Sequence, residues 1–372
     1  MQLPLIYKYR IYPNSKQKIL LQKQFGCGRF VWNSLLRHME DLGHFLSYYE
    51  MSKYLIHVLK PKFEWLSEVS TASLQVSLLN LQIAIRASIR KNAPSNKPRF
   101  KKKSSRQSCT FPQYVKVDKE NNLLKIQKIR SGIKIILHRD LPDFKSVTIV
   151  KESDGSYYAC FVAERDVMVE NYDSNTKHTG IDLGLKDLIT LSTGETVAPP
   201  KFFRKSEENI ARKNRALSKK TRGSKRWLKC RKRLSKTQSR VRQQRIDFSH
   251  KLTTRLANDN DAIAVESIRS KNIAKNHSLA KSVMDASWYT LCNMLMYKMK
   301  IKGKSFISCG GLFPSTQLCS SCNNQTGPKG INNLSGRNWT CPICHTDHNR
   351  DINAAINIGL EGDRLYHYPK AA

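Results

Sequence analysis

Acidic residues are scarce in this sequence: 29 Asp and Glu face 65 Lys and Arg, a formal charge of +36 over 372 residues. A chain this basic repels itself when folded unless a polyanion neutralises it. Nucleic acid fits that role, because each neutralised phosphate releases counterions and drives binding. A membrane surface fits less well, since basic anchors are local and here the charge covers most of the chain. Long apolar runs are missing as well. No window approaches the ~18 apolar residues of a membrane span. The N-terminal "MQLPLIYKYRIYP" has no basic region leading into an apolar one, so no signal peptide is read there. An intracellular, reducing setting is expected, in which cysteines stay free. No internal repeat of fixed period is present. The apolar content, 40%, is that of an ordinary globular protein long enough for two or three domains.

Residues 3–11, "LPLIYKYRI", alternate loosely and predict a strand. The segment after it predicts a helix with Asn14 or Ser15 as N-cap and Ile19, Leu20, Phe30, Val31, Leu35 and Met39 at helical spacing. Helical texture runs to about residue 92, and "APSNKPRFKKKSSRQS" then reads as a basic linker. From about 110 to 165 short strands are expected, with a hairpin turning at Asp154-Gly155. A new texture opens at 178–197, "HTGIDLGLKDLITLSTGETV", read as the opening hairpin of a sheet with a turn at Thr193-Gly194.

Residues 201–245 hold 19 Lys and Arg against only Glu207 and Glu208. Trp227, Leu234, Val241 and Phe248 recur every seven residues, followed by Leu252 and Leu256. That stripe requires a helix packed along one side, broken from a shorter one at Gly223-Ser224. A solvated face usually mixes signs, so the one-sign face opposite is read as phosphate-binding. A buried strand is expected over Ala262–Val265, ending on Glu266. A helix is expected over about 281–302, with Trp288, Leu291, Leu295 and Met299 on its apolar face. This alternation of strands and helices is an α/β pattern.

Six of the ten cysteines are scattered singly and read as small core residues. The other four form Cys319-x-x-Cys322 and Cys341-x-x-Cys344, 18 residues apart. Two such knuckles, carried on a small β-ribbon, hold one structural zinc with every position filled. His345 and His348 are near enough to compete but are not needed.

Three carboxylates each end an apolar run: Asp182 in "GIDLG", Glu266 in "IAVES" and Asp351 in "RDINAA". Singly they read as a turn residue, a strand-end surface residue and a helix N-cap. In a phosphate-seeking chain they read together as a magnesium site. Carboxylates sharing a site repel unless cations lie between them, and two magnesium ions ~3.5–4 Å apart clamp a phosphodiester for attack by water.

In that order, "GIDLGLKDLITLSTG", "AVESI", "FPSTQLCSSC", "CPIC" and "HNRDINAAINI" resemble the TnpB (OrfB) proteins of insertion sequences, relatives of the type V CRISPR effector nucleases. The likeness extends to "YRIYPNSKQKILLQKQFGCGRFVWNSLL" and "RQQRIDFSHKLTTRL", so it covers nearly the whole chain. It implies a multidomain α/β protein. A wedge β-barrel over 1–12 and 105–175 would carry a helical recognition insert at 13–104. A RuvC-like nuclease domain with a ribonuclease H fold would span 176–313 and 346–372, with a zinc-ribbon insert at 314–345 that binds target nucleic acid. Asp182, Glu266 and Asp351 match the family's catalytic, magnesium-binding carboxylates. The implied activity is RNA-guided cutting of double-stranded DNA beside a short adjacent motif, by a monomer on one guide RNA from the transposon end, in a prokaryotic cytoplasm or nucleoid. Asn349 stands where many members have Asp, and Asn323 where Gly is common.

Two other functions fit parts of the sequence. A guide-dependent DNA-binding repressor would share the fold but lose one or more carboxylates, and all three are present. A transposase acting directly in strand transfer is suggested by older naming, yet the chain lacks the His-hydrophobic-His pair of single-strand tyrosine transposases.

Overall fold

The computed structural model describes residues 2–90, 97–104, 106–168, 176, 178–267, 277–311, 313–328 and 337–367. They belong to two compact units, Gln2–Arg165 and Asp166–Ala372. Parts of the expected basic linker (91–96 and 105) and most of the expected boundary near 175 lie outside the described residues. Among the described residues no helix is long and apolar enough to cross a membrane.

The first unit opens with β1 (Gln2–Tyr12) and α1 (Ser15–Leu42). Asn14 starts α1 through a capping box: its side chain accepts the Gln17 N–H at 2.9 Å, and the Gln17 side chain accepts the Asn14 N–H at 2.9 Å. Gly43, at φ 74°, ends the helix in the left-handed conformation that glycine adopts without strain. Then come α2 (Tyr48–Tyr54), α3 (Thr71–Ile89), β2 (Gln107–Phe111), β3 (Lys116–Asp118), β4 (Leu123–Ile126), β5 (Ile129–Ile136), β6 (Phe144–Lys151) and β7 (Tyr157–Asp166). The strands form one seven-stranded sheet in the order β2-β6-β7-β1-β5-β4-β3. As expected, β6 and β7 turn at Asp154-Gly155, where Gly155 has φ 87°.

α1 joins two cores. Leu21 and Phe25 pack into the sheet's core with Tyr9, Phe111 and Phe161, while Val31, Leu35 and Met39 pack with Leu74, Leu78 and Leu81 of α3. Ile19 and Leu20, expected on the buried face, are 58% and 39% exposed. The face that meets the sheet runs through Leu21 and Phe25, one helical step round.

The second unit begins with β8 (His178–Asp182), β9 (Ile189–Leu191) and β10 (Thr196–Val197). The hairpin expected there is a three-stranded antiparallel meander, turning at Gly194 between β9 and β10. Next come α4 (Phe202–Ser218) and α5 (Lys225–Asp259), the latter capped by the Ser224 hydroxyl. Leu234 and Val241 pack against Ile210 of α4, and Leu252 and Leu256 reach the sheet's core. One stripe thus serves two surfaces and leaves the cations in water. Trp227, at its start, is half-buried with the Arg231 guanidinium over its ring.

β11 (Ala262–Glu266) follows, then α6 (His277–Ala286), α7 (Trp288–Ile301), β12 (Ser305–Cys309), β13 (Asn338–Thr340), β14 (Asp347–Asn349) and α8 (Arg350–His367). The single helix expected over 281–302 is two. Ser287 takes a left-handed φ of 52°, and the turn lets both Val283 and Trp288 join the core.

The main sheet has the order β10-β9-β8-β11-β12, with β11 parallel to both β8 and β12. The inner strand β11 is buried on both faces, as parallel strands generally are. Ile181, Ile263 and Val265 face α5 and α7, and Ala264 faces α8. On that second face helix and strand backbones touch. A Cβ added at Gly180 would lie 1.8 Å from the Ala355 carbonyl oxygen and 2.4 Å from the Gly359 nitrogen. Gly180→Ala is therefore expected to cost about 3 kcal/mol or more, because neither backbone can yield without moving α8. Gly310→Ala, with nothing within 4 Å of the added carbon, is expected to leave the melting temperature unchanged. Thermal unfolding of the two variants beside the parent checks this.

Candidate active site and metal centre

Asp182 ends β8 and Glu266 ends β11. The parallel register pairs Val265 with Ile181, so the next step along both strands sets the two acids side by side. Asp351 comes from the first turn of α8, the helix lying on β8. Asp182 is pushed up to about 7, first by burial and then by the negative charges of Glu266 and Asp351. Arg350 and the Leu183 N–H act in the opposite sense. Burial also raises Glu266. The structure thus brings all three carboxylates to one site.

Asp351 does not cap its helix. The Asn349 side-chain oxygen accepts the N–H groups of Asp351 at 3.1 Å and Ile352 at 3.3 Å, which accounts for an asparagine at this position and leaves the Asp351 carboxylate out of the cap. That carboxylate instead meets two arginines: Arg337 Nη1 at 3.1 Å and Arg350 Nη2 at 3.3 Å. Arg337 also reaches Asp187, at 3.4 Å. Neither arginine was singled out from the sequence, because Arg337 is one cation among 65 until the fold brings it to Asp351.

The donor type, carboxylate oxygen, is the type that magnesium takes. Among the described residues only the four cysteines have ligand atoms gathered closely enough to hold an ion without rearrangement, and Asp182 is raised first by burial and then by the charges of Glu266 and Asp351.

The four cysteines also converge. Their sulfurs lie within 4.8 Å of one another, with Cys319–Cys344 at 3.5 Å and Cys322–Cys341 at 3.7 Å. Zn–S bonds of about 2.3 Å in a tetrahedron put sulfurs about 3.8 Å apart, so the cluster fits zinc. Cys341 is lowered to about 5, chiefly by the Thr326 hydroxyl with help from the N–H groups of Cys344 and Ile343, and so is prepared as a thiolate. The ribbon differs from the single one expected between the pairs. Each knuckle sits in its own hairpin, Cys319–Cys322 inside the Leu318–Gln325 bridge and Cys341–Cys344 between β13 and β14. Residues 329–336 of the span between the pairs lie outside the described residues. Asn323 takes φ 59°, which explains why glycine suits that turn. His348 lies 3.0 Å from the Cys319 sulfur, against a sulfur of the cluster and outside the set of four.

The first knuckle is fastened to α8. The Asn353 side chain accepts the Ser320 N–H at 2.9 Å and donates to the Leu318 carbonyl at 2.7 Å. Asn357 donates to the Ser315 and Leu318 carbonyls, both at 2.8 Å. These asparagines are buried on the helix that carries Asp351, so the four-cysteine ribbon is tied to the acidic site's third element. The recurring Asn of "NAAIN" was the sequence signal for this contact.

Comparison with known proteins agrees with these features. A family of OrfB proteins described as "Probable transposase" matches residues 159–277. A "Helix-turn-helix domain" model of the same family matches 1–42, which here form β1 and α1, and a "Cas12f1-like, TNB domain" model matches 288–358. A Streptomyces pristinaespiralis protein named "Putative RNA-guided DNA endonuclease" is 33% identical over 370 residues, covering 97% of this chain and 90% of that one. InsQ of Escherichia coli K12, with the same description, is 27% identical and covers 96% of this chain and 92% of its own. Cas12f in a CRISPR ternary complex superposes with a TM-score of 0.39 at 15% identity, over 96% of this chain and 83% of that one, and carries no weight here. The chain belongs to the TnpB (OrfB) family.

Two outcomes are expected. Purified protein should hold about one zinc per chain by elemental analysis, and Cys341→Ser should lose it together with stability of the second unit. In chelator, the Asp182 carboxyl stabilises the fold most below its unfolded value of 3.8, and that contribution falls as pH rises through about 7. The melting temperature of the parent relative to Asp182→Asn should therefore drop between pH 4 and pH 7.5 and level off above. Added magnesium at pH 8 should raise the parent and not the variant.

Proposed function

We propose that this protein is an RNA-guided DNA endonuclease of an insertion sequence, cutting double-stranded DNA at the site formed by Asp182, Glu266 and Asp351. The observation that carries the reading is the coupling of these three acids, from β8, β11 and α8: the charges of Glu266 and Asp351 join burial in raising Asp182 to about 7. The sheet supports a RuvC-like ribonuclease H fold: three antiparallel strands, then two parallel strands added beside the first, with acids at the ends of the first and fourth. On this reading the seven-stranded sheet and the helices inserted after β1 are the wedge and recognition parts, and 314–345 is the zinc-ribbon insert. Both units serve one monomer on one guide RNA in a prokaryotic cytoplasm.

Magnesium, when bound, supplies the positive charge that lets water attack a phosphodiester. The chain's own part is positional. β8 and β11 are locked in register and set Asp182 and Glu266 side by side, and α8 brings Asp351 to face them. Partial burial keeps bulk water from screening the carboxylates. Arg337 and Arg350 place guanidinium groups beside Asp351, where a phosphate would replace that carboxylate as their partner. The cationic face of α5 follows a nucleic-acid backbone, and base pairing with the guide supplies sequence choice.

The test is cleavage of a plasmid bearing the guide match beside randomised bases, by protein co-purified with RNA from its own locus. Magnesium-dependent linear product is expected. Asp182→Ala, Glu266→Ala and Asp351→Ala should each lower cutting at least ~1,000-fold while RNA and matched DNA stay bound. Binding by the parent without cutting would establish the guided repressor instead.

A further inference from the structure

α7 has an uncharged outer face as well as an apolar inner one. Trp288, Leu291, Leu295 and Met299 face the core. Tyr289, Asn293 and Met296, at i, i+4 and i+7, line a cavity of about 210 Å³ whose other walls include Glu266 and Phe306. Tyr289 is 77% exposed and Met296 45%. The outward face of a surface helix is ordinarily charged. Yet 288–297, "WYTLCNMLMY", holds no charged residue in a chain with 65 Lys and Arg. A face built for phosphate would carry cations, so this one is made for something flat and uncharged. It opens directly beside Glu266, where the phosphodiester would be held. Pockets for drug-sized ligands run from roughly 300 Å³ upward, and this one has room for a single small ring system. The uncharged part of DNA joined to a phosphodiester is its nucleoside, with apolar ring faces and a polar edge.

We infer that this cavity receives the base of the nucleotide flanking the cleaved phosphodiester, stacked on the Tyr289 ring with the Asn293 amide at its hydrogen-bonding edge. The inference rests on the nuclease reading above. Stacking holds the strand so that the phosphate next to the bound base lies against the three carboxylates. Tyr289 is thus a substrate-positioning residue, and the Asn293 amide, which both donates and accepts, meets the polar edge of whichever base is held. Because every base has a π-face, stacking on Tyr289 tolerates any sequence, as guided cutting requires.

The experiment uses the RNA-loaded parent and variants under single-turnover conditions, on matched DNA carrying one abasic residue at successive positions around the cut. The parent should lose on the order of tenfold in rate at one flanking position, the scale of a lost base–aromatic stack. Tyr289→Ala should lose on the order of tenfold on intact DNA and nothing further from the abasic residue at that position. Tyr289→Phe should restore the rate and the abasic penalty together. Tyr289 is exposed, so its truncation leaves the fold intact, and a melting curve verifies that. Parental rates in Tyr289→Ala, or an abasic penalty equal in parent and variant, would overturn the cavity's assignment and leave the nuclease standing. A parent that cuts no substrate would overturn the nuclease reading and the cavity's role with it.

Discussion

Everything at the acidic site depends on one close approach, the backbone of α8 laid directly on β8 through Gly180 and Gly359. Side chains ordinarily hold a helix about 10 Å from a sheet, and here there is none at the contact. The helix is fastened along its length as well. Asn349 caps it, Asn353 and Asn357 tie its first half to the first cysteine knuckle, and Asp363 near its end accepts from both the backbone N–H and the ring of buried His178 on β8. Asp351 is therefore carried on an element that cannot slide, and the two acids of the sheet meet it in a fixed relation.

That rigidity has an electrostatic purpose. Burial first, and then the neighbouring charges of Glu266 and Asp351, make an ionised Asp182 unfavourable, and it holds its proton to about 7. A loose site would relieve the strain by letting one acid turn to solvent. The four-cysteine ribbon, the glycine contact and the His178–Asp363 pair oppose that escape. The remaining relief is cationic, from Arg337 and Arg350 or from bound metal. Around this small acidic spot the chain is strongly positive, with a formal charge of +36.

The elements were largely legible because their signals are local. The N-cap at Asn14 or Ser15, the Asp154-Gly155 and Thr193-Gly194 turns and the stripe from Leu234 to Leu256 depend on neighbours a few residues away. Where the signal was weaker the reading slipped. Ser287 breaks a helix without proline or glycine to announce it, and β12 has too little alternation to stand out. Ile19 and Leu20 were placed on the wrong face because apolar residues flank the true one.

By itself the sequence determined the chain's charge, its paired Cys-x-x-Cys knuckles and the candidacy of Asp182, Glu266 and Asp351, since residue type and spacing carry that chemistry. Tertiary structure decided what those residues touch. Arg337 pairs with Asp351, Asn357 reaches back 42 residues to Ser315, and His178 meets Asp363 from 185 residues away. Tertiary structure also turned the uncharged side of α7 into the wall of a cavity next to Glu266. The reason is geometric: a periodic pattern reports which face of an element is apolar, while hydrogen bonds, ion pairs and backbone contact at Gly180 require two distant segments at a fixed separation, which only the packed fold supplies.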